Sequence, residues 1–217
     1  MHVAIALYPR FAALDVVAPY TALAFTSGYE ITFVAARPGP VLDDRGNLSL
    51  TATAAFADVP SPDVLLVPGG HGVARAMAEP HLIRWIARAH QHTTWTTSVG
   101  TGSFLLGAAG LIAERRATTH WHVLDELAGL DALPVAERLV TDGKVMTAAD
   151  FSAGIDMALT LLAGVGGDDT ARAVRLALGL DHAQPRPSTP ERPDLDHARA
   201  LITYAALDGW PPAAPHD

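Results

Sequence analysis

Residues 94–106, TWTTSVGTGSFLL, decide how this chain folds. Thr94, Trp95, Thr96, Thr97 and Val99 supply the β-branched and aromatic side chains of a buried strand. Gly100, Thr101 and Gly102 break it, and 104–109 resume with mostly strong helix formers, so the segment reads as strand, tight turn and helix. Such a turn lifts one residue above the end of a sheet and aims the free N–H groups of the next helix at whatever sits there. Enzymes place a nucleophile at that tip, and here the tip is Gly100.

Outward from the turn, the same alternation recurs. A strand over 2–7 is ended by Tyr8-Pro9, and 11–24 carry apolar residues at helical spacing with Asp15 inside the pattern. Residues 30–35 form a second strand. A hairpin over 41–53 is centred on Asp43-Asp44-Arg45-Gly46-Asn47. The apolar strand 63–68 empties into Gly69-Gly70-His71-Gly72, and the helix 75–90 breaks or restarts at Pro80. After the turn, helix continues over 105–112. A short helix over 122–127 follows, then short strands at 138–140 and 144–147 and helices at 151–165 and 169–178. Residues 184–193, QPRPSTPERP, read as a rigid connector between a domain over 1–183 and a last helix and tail over 194–217 that pack on the domain or on a partner subunit. Alternating strands and helices give an α/β sandwich of three layers around a mainly parallel sheet, whose ligands bind beyond the carboxyl ends of the strands.

Composition narrows the function. A chain of 217 residues that is 49% hydrophobic buries one good core. A net charge of −8 with Lys144 as its one lysine argues against nucleic acid. No apolar run reaches the ~18 residues of a membrane helix, and 1–10 lack the pattern of a signal peptide, so a cytoplasmic protein is expected. The absence of cysteine removes disulfides and thiolate chemistry. The histidines are scattered without ligand spacing, so neither metal nor cofactor is expected.

Three loops at strand ends carry candidates. Asp15, among Leu14, Val16 and Val17, is either a poorly solvated acid whose pKa is raised into the range of proton transfer or a plain helix-start charge. Gly69 and Gly70 let backbone N–H groups approach a ligand and hold a developing oxyanion, or form a simple tight turn. His71 donates to a substrate or sits at the rim. Gly100 and Thr101 offer N–H donors. Thr101 lacks an evident base, which favours a hydrogen-bonding role over a nucleophilic one. His120 and Trp121 wall the pocket or join the core, Phe151 lines it, and Asp150 caps the following helix.

Five stretches, LDVVAPY (14–20), VPGGHGV (67–73), TSVGTGSFLLGAAGL (97–111), RATTHW (116–121) and SAGIDMALTLLA (152–163), together resemble the DJ-1/PfpI superfamily and within it the isocyanide (isonitrile) hydratase branch. The resemblance runs from Val3 to about Leu178. It implies a flavodoxin-like sandwich, a homodimer, and a cysteine at the elbow tip beside a protonatable carboxylate. That carboxylate is an aspartate in the hydratase branch and matches Asp15. The resemblance also implies an oxyanion hole that includes the matches to Gly69 and Gly70, with Thr101 after the tip. Where the pattern reads S-V-C-T-G, this chain reads Ser98-Val99-Gly100-Thr101-Gly102. The expectation is a small-molecule lyase in which Asp15 acts as general acid and base without a covalent step, by hydration or intramolecular cyclisation. The alternatives are a hydratase disabled by glycine at position 100 and a non-catalytic small-molecule binding module.

Overall fold

A computed structural model describes residues 1–26 and 28–180, so the expected connector and C-terminal helix lie outside the described residues. In chain order the elements are β1 (His2–Ala6), α1 (Ala13–Leu23), β2 (Glu30–Ala35), the hairpin strands β3 (Gly39–Leu42) and β4 (Ser49–Ala52), and β5 (Ala54–Ala55). Next come β6 (Val64–Val67), α2 (Val73–Met77), α3 (Pro80–His92), β7 (Trp95–Val99), α4 (Ser103–Ala108), β8 (Arg116–Ala117) and β9 (Leu133–Pro134). The described chain closes with β10 (Leu139–Asp142), β11 (Val145–Ala148), α5 (Phe151–Gly166) and α6 (Asp168–Ala177).

Seven strands form one sheet in the order β10-β11-β7-β6-β1-β2-β5. Every pair is parallel except β10–β11, which is antiparallel about the turn at Asp142-Gly143. The central strands β1 and β6 are apolar almost throughout because both faces of the sheet are covered. Val64, Leu65, Leu66 and Val67 have no exposed surface. Helices α1, α5 and α6 pack together on one face and α2, α3 and α4 on the other. This is the expected flavodoxin-like three-layer sandwich. Among the described residues no helix is long and apolar enough to cross a membrane.

The restart expected at Pro80 is found: Pro80 opens α3, since its missing N–H has no partner to lose in a first turn. Two other elements differ from their sequence reading for local reasons. Helix α4 stops at Ala108 instead of continuing to 112, because Gly110 takes a positive φ of 73° and turns the chain. The short helix expected over 122–127 is two 3₁₀ segments, Trp121–Val123 and Asp125–Leu130.

The chain leaves β1 toward β2 on one side of the sheet and enters β6 on the other, so the direction of winding reverses between β1 and β6. A crevice opens at the carboxyl ends of strands at such a switch point. The two exit loops are tied across it: the Ala12 N–H donates to the Gly69 carbonyl at 2.8 Å, and the Gly72 N–H to the Arg10 carbonyl at 2.9 Å. The buried Tyr8 hydroxyl donates to the Pro68 carbonyl at 2.8 Å. Arg10 holds a left-handed backbone, φ 66°, to make this turn.

Candidate active site at the switch point

The first turn of α1, the loop after β6 and the elbow after β7 meet here. Asp15 is only 8% exposed, and its Oδ2 accepts the Gly69 N–H at 3.0 Å. Burial pushes its pKa up to about 7. The Gly69 hydrogen bond opposes that rise, and the charges of Asp44 and Asp150 add to it. The desolvation does not come from the neighbours in sequence, because Leu14 and Val17 are 55% and 39% exposed. It comes from the two glycine loops that close over the carboxyl.

Gly69 is fixed by close approach. A Cβ there would lie 2.5 Å from Thr101 Oγ1 and 2.9 Å from Asp15 Oδ2. Gly100 sits at the tip with φ +53°, and a Cβ built on it would meet Asp15 Oδ2 at 3.0 Å and no other residue within 4 Å. Any side chain at position 100 therefore points at the carboxyl of Asp15. The Gly100 carbonyl accepts from the buried hydroxyls of Thr119 at 3.0 Å and Ser103 at 3.2 Å, which hold the elbow in its left-handed turn.

The Gly70 N–H donates to Thr101 Oγ1 at 3.1 Å. The N–H groups of Gly69 and Gly70 thus already have acceptors, unlike the open donors expected of an oxyanion hole. Thr101 Oγ1, engaged as an acceptor, keeps its O–H hydrogen for donation. The Thr101 N–H lies in the first turn after the elbow, where a helix has no internal acceptor to offer.

His120 follows Thr119 and is half-buried; burial holds its imidazole below the ordinary value, His122 adds to this, and Asp150 opposes it. Trp121 packs against it with ring centroids 5.5 Å apart. Asp150 caps α5 by accepting the Ala153 N–H at 2.8 Å, as expected, and Phe151 stands 46% exposed beside it. His71 pairs instead with Asp44 across 3.3 Å, on the side of the hairpin turn. Its imidazole is held below the ordinary value by burial, against the pull of Asp44. Ser98 lies fully buried within the sheet packing.

Sequence reading did not single out Tyr8, Ser103 or Thr119. Each acts through a main-chain carbonyl brought near only by the tertiary fold. The one sequence signal for Thr119 was its place in the stretch RATTHW.

A parallel sheet whose switch point presents a buried carboxylic acid against a strand–elbow–helix tip defines a flavodoxin-like α/β protein with its candidate site at the carboxyl edge. The DJ-1/PfpI family model matches residues 1–164, and the chain belongs to that family. It is 40% identical to the isonitrile hydratase of Pseudomonas putida over 197 residues, 89% of this chain and 86% of that one. It is 32% identical to the HTH-type transcriptional regulator CdhR of Pseudomonas aeruginosa over 160 residues, 73% of this chain and 47% of the regulator. The crystal structure of a ThiJ/PfpI family protein from Pseudomonas syringae superposes with a TM-score of 0.84 at 31% identity, covering 92% of this chain and 83% of that one.

Proposed function

We propose that this chain is a cytoplasmic, homodimeric lyase of the isonitrile hydratase type that works through Asp15 alone, without a covalent thiol step. The observation that carries the reading is the buried Asp15 carboxyl aimed at a tip that bears no side chain, with a pKa pushed up to about 7. An acid of that strength is present in both protonation states near neutrality, which suits a group that must give and then take a proton. For an isocyanide, the Asp15 carboxylic acid delivers its proton to the terminal carbon and water adds to the same carbon. The Asp15 carboxylate then takes a proton from that water. The hydroxyimine so formed tautomerises to the N-substituted formamide, so the net change is addition of one water. An internal nucleophile of the substrate in place of water gives cyclisation by the same proton path, and orientation in the pocket supplies the advantage of an intramolecular reaction. Thr101 and the walls formed by His120, Trp121 and Phe151 orient the substrate. The acids Asp44 and Asp150 around the centre disfavour an anionic substrate, and an isocyanide carries no net charge.

One observation favours a second reading. The 3.0 Å approach of a Cβ at position 100 to Asp15 Oδ2 is the placement a nucleophilic side chain beside a proton donor requires, so the chain can be read as a hydratase disabled at its tip. Turnover of alkyl and aryl isocyanides, including substrates with an internal nucleophile, separates the two. Under the first reading the natural chain turns over and Asp15→Asn lowers kcat by about 10²-fold or more, in the range of general acid–base catalysis. Under the second, only Gly100→Cys is active, its thiolate favoured by the helix start. Equal rates for the natural chain and Asp15→Asn overturn the first, and an inert Gly100→Cys overturns the second.

A further inference from the structure

A cavity lies away from Asp15, between the β3–β4 hairpin, the ends of β2 and β5, and the helices α2 and α3. It encloses about 970 Å³, and its lining contains none of Asp15, Gly69, Gly70, Gly100 and Thr101. Its floor is apolar: Leu7, Ala35, Leu82, and Phe56 stacked on Trp85 with centroids 4.8 Å apart. The Trp85 indole N–H is already satisfied by the Val59 carbonyl at 2.8 Å, so the ring presents only carbon to the cavity. The lining also includes the exposed side chains of Arg37, Arg75, Arg84 and Arg88, with Glu79 as the one acid.

In a chain of net charge −8 this concentration of guanidinium groups is unusual. Arg84 and Arg88 lie one turn apart on α3, a like-charge spacing that costs a helix stability rather than adding to it. Among the described residues none of the four has a carboxylate in ion-pair range, whereas Arg115, Arg116, Arg138, Arg172 and Arg175 all do. Guanidinium forks match oxyanions in bidentate geometry, and a volume of this size beside an aromatic wall fits a small ligand with a carbon body. The acidic chain as a whole repels a polyanion.

We propose that this cavity is a second ligand site, which takes an organic acid with its apolar body against Phe56 and Trp85 and its oxyanion head among Arg37, Arg75, Arg84 and Arg88. The site is separate from the Asp15 centre, and the two share the loop after β1, in which Tyr8 lines the cavity and reaches the Pro68 carbonyl, and the loop after β6, whose Gly72 also lines it.

Calorimetric titration of the full chain with 4-phenylbutyrate, its neutral amide and inorganic phosphate tests this. The acid is expected to bind saturably, to weaken as NaCl is raised, and to shift the indole fluorescence. The amide should bind at least tenfold more weakly, and phosphate without a carbon body should not saturate. The double variant Arg75→Gln, Arg88→Gln is expected to lose at least tenfold in affinity for the acid while its melting curve and its binding of the amide stay unchanged. Asp15→Asn should leave binding of the acid intact. Equal binding of acid and amide, failure of the acid to saturate, or loss of its binding in Asp15→Asn but not in the arginine variant would each overturn the proposal.

Discussion

At Asp15 the balance between charge and burial sets both reactivity and stability. Its proton is held more tightly in the folded chain, pKa about 7, than at the ordinary carboxyl value of 3.8. Between those values the native state binds more protons than the unfolded state, so stability falls as pH rises through that window. The favourable contribution is complete below about 4 and gone above about 7, and its limit is on the order of 4 kcal/mol. Asp15→Asn keeps an acceptor for the Gly69 N–H and removes the titration. Thermal melts of the two proteins are therefore expected to converge below about pH 4 and to separate progressively up to about pH 7, with the asparagine variant the more stable there. A constant gap between the two curves would show that Asp15 is not desolvated in the native state. The candidate itself was legible in the sequence, from an aspartate just after a strand's carboxyl end. The cause of its burial was not, because Leu14 and Val17 face outward and the covering atoms belong to residues 69 and 100, distant in the chain. The hydroxyls of Thr119 and Ser103 escaped for the same reason, since a side chain that serves a remote carbonyl leaves no periodic trace.

The elements tolerate change according to what their small residues touch. Gly102 enters α4 against the end of β6, and a Cβ there would lie 2.2 Å from the Val67 carbonyl oxygen and 2.8 Å from the backbone of Pro68. Backbone cannot yield as a side chain can, so Gly102→Ala is expected to destabilise by about 3 kcal/mol or more. Gly164, inside α5, has open space where a methyl would stand, with nothing within 4 Å, so Gly164→Ala should gain about 1 kcal/mol of helix propensity, a rise of roughly 2–4 °C in Tm. Denaturant unfolding of both variants checks the pair, and a Gly102→Ala protein as stable as the natural one would refute the tight seating of the elbow on β6. The strand–elbow–helix segment and the strands β1, β2, β6 and β11 were readable because buried strands and turn glycines are local signals. The extent of α4 and the 3₁₀ path through 121–130 were not, since both depend on where the chain must next be delivered.

Among the described residues, one face of the sandwich is incompletely covered beside the candidate site. Leu14 and Val17, three residues apart on α1, share an exposed side of the helix, and Phe151 begins the helix packed against it. These exposed apolar groups flank the turn that carries Asp15, and burying them would remove water from the mouth of the site while lowering the free energy by about 25 cal/mol per Å² of apolar surface covered. A second copy of the chain meeting α1 about a two-fold axis buries the same residues from both sides, which is how a self-complementary interface forms. Sedimentation equilibrium at micromolar concentration is expected to return twice the chain mass of 22.8 kDa. The double variant Leu14→Ser, Val17→Ser should shift the equilibrium toward the single chain, with little change in its melting temperature at low concentration, because both side chains are exposed in the isolated fold. A chain that sediments as a monomer would refute the dimer, and a variant that dimerises as tightly as the unsubstituted chain would place the interface elsewhere; either leaves the Asp15 mouth open to solvent.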